Sequence, residues 1–112
     1  EDQVDKYGII TGNLLDESDD TFLVTNMIEK PNIGEANSNL AVIGRYILTP
    51  DIFDILKNTK PDKNNEIQIT EALNEQAKKG NVIGYKFKGI RFDCGDIDGF
   101  VSATNYFAKN NL

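Results

Sequence analysis

Residues 28–46, which read I-E-K-P-N-I-G-E-A-N-S-N-L-A-V-I-G-R-Y, join two apolar segments of the chain. The first segment ends on an adjacent carboxylate and amine, Glu29 and Lys30. Pro31 stops the strand, because proline has no N–H and disfavours a regular geometry at the residue before it. A polar loop follows, and a second apolar strand is predicted from Leu40. Proteins of the α/β and α+β classes hold ligands at such strand ends.

The charged pair at this strand end has two interpretations. Lys30 is a compact cation suited to a phosphate, and Glu29 is an acceptor suited to hydroxyl groups. A Glu-Lys pair is equally typical of a solvated strand end, where most surface charge pairs contribute little. The two residues by themselves leave both interpretations open.

Composition limits the possible functions. The chain has 112 residues, 39% of them hydrophobic and 27% charged, as expected for a single domain with a modest core. Its formal net charge of -6 argues against nucleic acid or an anionic membrane as a partner. No run approaches the ~18 apolar residues needed to span a bilayer. The acidic, polar start of the sequence gives no indication of a signal peptide.

Cysteine and histidine usage restricts the chemistry further. The single cysteine, Cys94, cannot form an internal disulfide, so a reducing cytoplasm is the simplest compartment. We expect Cys94 to be a small buried hydrophobe. The sequence has no histidine, which removes histidine-based triads and metal clusters. Any metal is therefore expected to be a hard, oxygen-ligated ion such as Mg²⁺.

Hydrophobic periodicity predicts an α+β or mixed α/β fold with the element order β-β-β-α-α-β-β-α. The predicted sheet is part of a larger one, and its unpaired edge favours self-association. The first half of the chain is predicted to form a hairpin of residues 7–15 and 22–30 around an acidic turn at 16–20, with either a bulge or an earlier turn at Gly12-Asn13, and a mostly buried strand over 40–48. A short helix follows, with Thr49 as its N-cap and Pro50 as its first position, and ends near Asn58. The second half is predicted to form a helix from Glu66 or Thr70 to Lys79, followed by Gly80 at C′; short strands at 82–87 and 90–92; and a helix over 97–109 with its aromatic residues in the core.

Two carboxylates precede the last predicted helix. Asp96 is assigned to helix capping, because aspartate is a favoured N-cap and suits the positive end of a helix. From spacing alone, Asp93 is equally consistent with a cap and with a functional carboxylate.

Four blocks of sequence together resemble the bacterial UTP–glucose-1-phosphate uridylyltransferases, which are sugar nucleotidyltransferases. The resemblance covers nearly the whole chain in the family's order, but only the C-terminal part of that enzyme, and the family's glycine-rich G-x-G-T-R segment is absent. It implies that residues 1–112 are the sugar-binding and metal-contributing portion of a Rossmann-like nucleotidyltransferase domain, with a mixed β-sheet and helices. The blocks are E-K-P at 29–31, S-N-L-A-V-I-G-R-Y-I-L at 38–48, N-E-I-Q-I-T-E-A-L-N at 65–74 and R-F-D-C-G-D at 91–96.

The resemblance also implies a reaction, in which UTP and glucose 1-phosphate give UDP-glucose and pyrophosphate. The parent enzyme would be a homo-oligomer with Mg²⁺, and this chain alone would be inactive. Alternatives are a thymidylyltransferase or another sugar-1-phosphate nucleotidyltransferase, and a non-catalytic binding or assembly module. The resemblance implies that Lys30 binds the phosphate and is catalytic, and that Asp93 is a ligand of Mg²⁺. It implies that Glu29 binds the glucose hydroxyls and that the backbone approaches the sugar closely at Gly8. Val42 and Tyr46 would line the sugar pocket.

Two points stay open within the resemblance. Tyr46 is equally consistent with a core position. Family members often have glycine where Asn65 stands and aspartate where Glu71 stands, which puts loop detail in doubt rather than the chemistry.

Overall fold

The computed structural model describes residues 3–15 and 17–110, so Asp16 of the predicted acidic turn lies outside the described residues. Its strands are β1 (Gly8–Leu14), β2 (Thr21–Glu29), β3 (Leu40–Ala41) and β4 (Ile83–Tyr85), its helices are α1 (Ile52–Asn58), α2 (Ile69–Lys78) and α3 (Ile97–Lys109), and a 3-10 turn over Val4–Lys6 precedes β1. The strands form one sheet in the order β3-β1-β2-β4, and every pair is antiparallel. The predicted combination of a sheet with helices is confirmed.

The predicted hairpin of β1 and β2 is confirmed. A bulge, and not an earlier turn, lies at Gly12, but its extra residue is on β2. Gly12 faces Val24, but the preceding residue of β1, Thr11, faces Asn26. Thr25 is therefore the extra residue, and its hydroxyl donates a hydrogen bond of 3.1 Å to the carbonyl of Thr11. An extra residue on one strand of an antiparallel pair bends that strand and shifts the pairing beyond it.

The bulge decides which residues meet at the far end of the hairpin. Beyond it, Gly8 at the start of β1 faces Glu29 at the end of β2. Had the register of Leu14 with Phe22 continued without the bulge, Gly8 would face Ile28 instead. Because successive side chains of a strand point to opposite faces, this shift exchanges the face that each side chain occupies.

Helix α2 lies across β2 and closes the core. The backbone N–H of Met27 donates a hydrogen bond of 2.9 Å to Oδ1 of Asn74, which attaches the helix to the strand. The predicted glycine stop is confirmed, because Gly80 has φ +75° and its N–H bonds to the carbonyl of Ala77 at 2.9 Å. The buried core consists of Val24, Met27, Ile52, Ala72, Leu73 and Ala77.

Helix α1 begins at Ile52, two residues after the predicted first helical position at Pro50. The N–H of Ile52 bonds to the carbonyl of Thr49 at 3.1 Å, so a tighter turn occupies the predicted start. The buried Gln76 of α2 donates a hydrogen bond of 2.9 Å to Asp51, which holds this turn against α2.

The predicted strand over 40–48 is wrong beyond Ala41. β3 pairs with only two residues of β1. The chain then leaves the extended conformation at Gly44, which has φ +77°, and Ile47 is fully exposed. Val42 is partly buried against the core, whereas residues 43–48 are exposed.

The predictions for the C-terminal third are mixed. Helix α3 has the predicted bounds, and Asp96 caps it by accepting the N–H of Gly99 at 2.7 Å, as predicted. The predicted strand over 90–92 is absent from the described residues. No helix in the described part of the chain is both long and apolar enough to cross a membrane.

Burial around α3 differs from the prediction. Phe100 and Phe107 are 60% and 47% exposed, and Ala103 is the buried residue of the helix, so the assignment of its aromatic residues to the core is wrong. Cys94 is exposed rather than buried. Phe92 and Tyr106 place their ring centroids 5.3 Å apart, which gives α3 a small aromatic contact with the segment before it.

Candidate functional site

The start of β1 and the end of β2 lie side by side and form the centre of the candidate site. The backbone N–H of Lys30 donates a hydrogen bond of 3.0 Å to the carbonyl of Tyr7, so the pairing continues one residue beyond the strands. Lys30 has φ +44°, a left-handed conformation that is uncommon for a residue with a side chain, and it turns the chain into the buried Pro31. The predicted charged pair therefore stands where the strand ends, and the Lys30 side chain is exposed.

Glu29 is held from a third element. Its Oε2 accepts a hydrogen bond of 2.5 Å from the hydroxyl of Thr70 in the first turn of α2. Thr70 is buried and Glu29 is half-buried. Gly8 lies directly beside this pair, since a Cβ added there would stand 3.1 Å from Oε2 of Glu29.

Asp93 reaches the same end of the sheet through Tyr7. The Tyr7 hydroxyl donates a hydrogen bond of 3.3 Å to Oδ2 of Asp93, and Arg91 donates to both groups at 3.0 and 3.2 Å. The guanidinium of Arg91 also lies 5.0 Å above the centre of the Tyr7 ring. The backbone N–H of Gly95 and then Arg91 hold the pKa of Asp93 below its ordinary value, so this carboxylate is a stable anion.

The remaining predicted residues lie on the segment after β3. The N–H of Val42 bonds to the carbonyl of Gly8 at 2.8 Å, which attaches this segment to the site. Partial burial and then the charge of Glu29 raise the pKa of the Tyr46 hydroxyl, so Tyr46 lies within electrostatic reach of that carboxylate. Tyr46 is 39% exposed and is not a core residue.

An apolar cleft of about 450 Å³ opens beside this polar cluster. It is lined by side chains of the segment after β3, by β4 and by the core face of β2, and Val42 and Tyr46 belong to its wall. Glu29, Lys30 and Asp93 do not line it. We place the chemistry at the polar cluster, because that is where the charges and oriented hydrogen-bonding groups lie.

The structure brings the predicted site residues to one end of the sheet. Gly8, Glu29 and Lys30 are neighbours, Val42 contacts Gly8 through the backbone, Tyr46 is near Glu29, and Asp93 is joined through Tyr7. Sequence reasoning missed Tyr7, Thr70 and Arg91 as site residues. Thr70 and Arg91 stand inside the blocks that carry the resemblance and Tyr7 precedes Gly8, but only the tertiary contacts single them out.

Mg²⁺ fits the site only in part. Within residues 3–15 and 17–110, no group of three or more histidine, cysteine, aspartate or glutamate side chains is placed to hold a metal ion. Asp93 is the carboxylate predicted to bind the ion, and its Oδ2 accepts hydrogen bonds from Arg91 and Tyr7. Further oxygen ligands would have to come from substrate phosphates or from other parts of a longer protein.

The sequence of this chain matches a known protein family and several characterised enzymes. The model of the family described as nucleotidyl transferase matches residues 1–110. The UTP–glucose-1-phosphate uridylyltransferase of Pseudomonas aeruginosa is 55% identical over 109 residues, which are 97% of this chain and 38% of the relative. The enzyme of the same name from Mycoplasma genitalium is 44% identical over 108 residues, 96% of this chain and 37% of the relative. The chain thus spans well under half the length of these relatives.

Solved structures agree with the sequence relatives. A UDP-glucose pyrophosphorylase complexed with UDP-glucose matches with a TM-score of 0.88 and 55% identity, covering 97% of this chain and 40% of that one. The UTP-bound enzyme from Acinetobacter baumannii matches with a TM-score of 0.73 and 35% identity, over 93% of this chain and 35% of that one. The fold described above is therefore shared with both.

Proposed function

This chain belongs to the nucleotidyl transferase family, and we propose that it is part of an enzyme that transfers the uridylyl group of UTP to glucose 1-phosphate. One observation carries the proposal: Gly8, Glu29 and Lys30 meet at one end of the sheet, and Tyr7 links them to Asp93. The activity is expected of a full-length parent, by which we mean a protein that contains this chain together with the remaining length of its relatives.

The sugar would lie against the end of β1 and β2. Oε2 of Glu29 is occupied by Thr70, which leaves the other carboxylate oxygen to accept hydrogen bonds from sugar hydroxyls. Val42 and Tyr46 would form the apolar side of the same pocket, since both also line the neighbouring cleft. A sugar with one polar and one apolar face fits such a boundary.

Lys30 would bind the phosphate of the sugar. Its side chain is exposed and forms none of the ion pairs found within the described part of the chain, so its charge is available to an incoming anion. In the reaction, an oxygen of glucose 1-phosphate forms a bond to the α-phosphorus of UTP, and the bond from that phosphorus to the oxygen of pyrophosphate breaks. Lys30 would reduce the repulsion between the two anions, which is catalysis by positioning and electrostatics rather than through a covalent intermediate.

Asp93 would contribute one ligand to Mg²⁺. When bound, the ion would neutralise charge on the nucleotide phosphates. The low pKa of Asp93 supports this role, because the ion binds the carboxylate and not the acid. Arg91 lies beside the same carboxylate, so binding of an ion there would require the 3.2 Å contact between them to loosen.

We further propose a cytoplasmic homo-oligomer. An exposed free thiol at Cys94 suits a reducing compartment. The exposed aromatic side chains of α3, Phe100 and Phe107, are a candidate surface for contact with a second subunit.

The proposed function is tested by following pyrophosphate release from UTP, glucose 1-phosphate and Mg²⁺. We expect turnover by the full-length parent and none by this chain alone, because the 112 residues contain no G-x-G-T-R segment to hold the triphosphate. The parent with Lys30→Ala, purified in the same way, controls for contaminating host enzyme. A parent without turnover would refute the proposal, and turnover by the isolated chain above that control would refute the need for the remaining length.

A further inference from the structure

The contact between Glu29 and Thr70 joins the end of β2 to the start of α2. Thr70 is 4% exposed, and its hydroxyl lies 2.5 Å from Oε2 of Glu29. A buried hydroxyl needs a hydrogen-bond partner, and a charged acceptor makes the stronger bond. The other oxygen, Oε1, accepts no hydrogen bond from the described residues. The carboxylate is thus held through Oε2, and Oε1 is available to accept a hydrogen bond from a ligand.

Gly8 provides the space in which this pair forms. A Cβ at Gly8 would lie 3.1 Å from Oε2 of Glu29 and 3.6 Å from the hydroxyl oxygen of Thr70. The first distance is tighter than nine in ten real Cβ contacts, so the carboxylate would have to move by a few tenths of an ångström. It is not free to move without lengthening its bond to Thr70. The glycine therefore leaves room inside the protein for the present position of the Glu29 carboxylate.

We propose that Thr70 is a positioning residue that sets the orientation of the Glu29 carboxylate for sugar binding, with Gly8 keeping the space clear. This inference rests on the proposed function of Glu29 as the acceptor for sugar hydroxyls. A free glutamate side chain loses conformational entropy when it binds a ligand, and a carboxylate already held by Thr70 loses less. Because Thr70 fixes the plane of the carboxylate, the remaining lone pairs, above all those of Oε1, face fixed directions, which adds selectivity to affinity.

The central test is a double-mutant cycle in the full-length parent. Thr70→Val keeps the shape of the side chain and removes its hydroxyl, and Glu29→Gln keeps the shape and removes the charge. Loss of a hydrogen bond to a charged group predicts that Thr70→Val raises the KM for glucose 1-phosphate roughly tenfold or more, with the KM for UTP changed less than about twofold. In the Glu29→Gln background, Thr70→Val should raise the KM for glucose 1-phosphate by less than about threefold, because the charged partner of the hydroxyl is already gone.

Three further variants separate positioning from general stability. Thr70→Ser restores a hydroxyl and should recover most of the affinity for the sugar phosphate. Gly8→Ala should raise the same KM as Thr70→Val does. Thr104→Val is a matched control on α3, since among the described residues its hydroxyl donates to the Phe100 carbonyl of its own helix, and it should leave every constant unchanged. Thermal unfolding of each variant confirms that it is folded.

Each outcome decides the matter. A Thr70→Val parent with the wild-type KM for glucose 1-phosphate would overturn the inference while leaving the proposed function intact. The inference would also be overturned if the KM of the double variant rises by the product of the two single-variant increases. That result would show that Thr70 and Glu29 act independently. If Thr70→Val does not fold, Thr70→Ala takes its place in the cycle, and failure of both to fold would overturn the inference by assigning Thr70 to stability. An inactive wild-type parent would overturn the inference and the proposed function together.

Discussion

Replacing Gly12 by alanine is expected to disrupt the bulge that sets the register of β1 and β2. A Cβ at Gly12 would lie 2.4 Å from the carbonyl oxygen of Leu23 and 3.1 Å from the Cα of Val24. Ordinary contacts begin near 3.4 Å, so the two strands would have to separate by about 1 Å at a point where they are hydrogen-bonded. The obstructing atoms belong to the backbone, and no side-chain rotation can relieve the clash.

The expected loss in the free energy of unfolding follows from the rigidity of this contact. Overpacking in a well-packed region costs about 1–3 kcal/mol, and a clash with backbone belongs at the upper end, near 3 kcal/mol. With a urea dependence of about 1.5 kcal/mol per molar, the midpoint of unfolding should fall by about 2 M. The thermal midpoint should fall by roughly 12 °C for a domain of this size.

The assay is urea-induced unfolding of the chain, followed by circular dichroism, with Gly34→Ala as the matched control. A Cβ at Gly34 meets no heavy atom within 4 Å, so that variant should change the free energy of unfolding by less than about 0.5 kcal/mol. Equal midpoints for the Gly12 and Gly34 variants would refute the reasoning, because they would show that the strands tolerate a side chain at the bulge.

Three further predictions concern the charged residues. Lys30→Ala in the full-length parent should lower kcat/KM by about a hundredfold, the scale of losing one phosphate-stabilising group, and a folded variant with near-parental kcat/KM would disprove its role. Asp93→Asn should raise the Mg²⁺ concentration needed for half-maximal rate and slow the reaction, whereas an unchanged Mg²⁺ dependence would leave Asp93 as a turn-forming residue only. Hydrogen bonds from Thr49 and then Gln76 lower the folded-state pKa of Asp51 below 3.8, so their stabilising effect is present above about pH 4 and is lost as the pH falls through the folded-state value. Thermal midpoints measured between pH 7 and pH 2.5 should therefore fall less steeply for Asp51→Asn, and parallel curves would contradict this assignment.

Local chemistry made several elements predictable from the sequence. Gly80 ends α2 and Asp96 caps α3 as predicted, because both depend on the backbone of residues within one helical turn. Asn65 has φ +63°, a left-handed conformation that asparagine tolerates better than most residues and that glycine adopts freely. The pairing of β1 with β2 was likewise predictable, since a short turn joins two apolar runs.

Burial was less predictable than secondary structure. The segment after Ala41 and the aromatic residues of α3 are apolar, and the sequence alone suggested that they were covered. Whether an apolar side chain is buried depends on which other elements reach it, and periodicity carries no information about that. Phe100 is exposed for this reason although its helix was predicted correctly, whereas Ile47 lies in a segment where the predicted strand is itself wrong.

By itself, the sequence determined which residue types stand at the strand end: a carboxylate and an amine at Glu29 and Lys30, closed by a proline. Only the tertiary structure decided that Glu29 faces Gly8, since the extra residue at Thr25 shifts the register by one and reverses the faces of the strand. It also decided that Thr70 holds the Glu29 carboxylate. A hydrogen bond between residues far apart in the chain depends on how α2 packs on β2, and that packing is set by the shape of the whole core rather than by either local sequence.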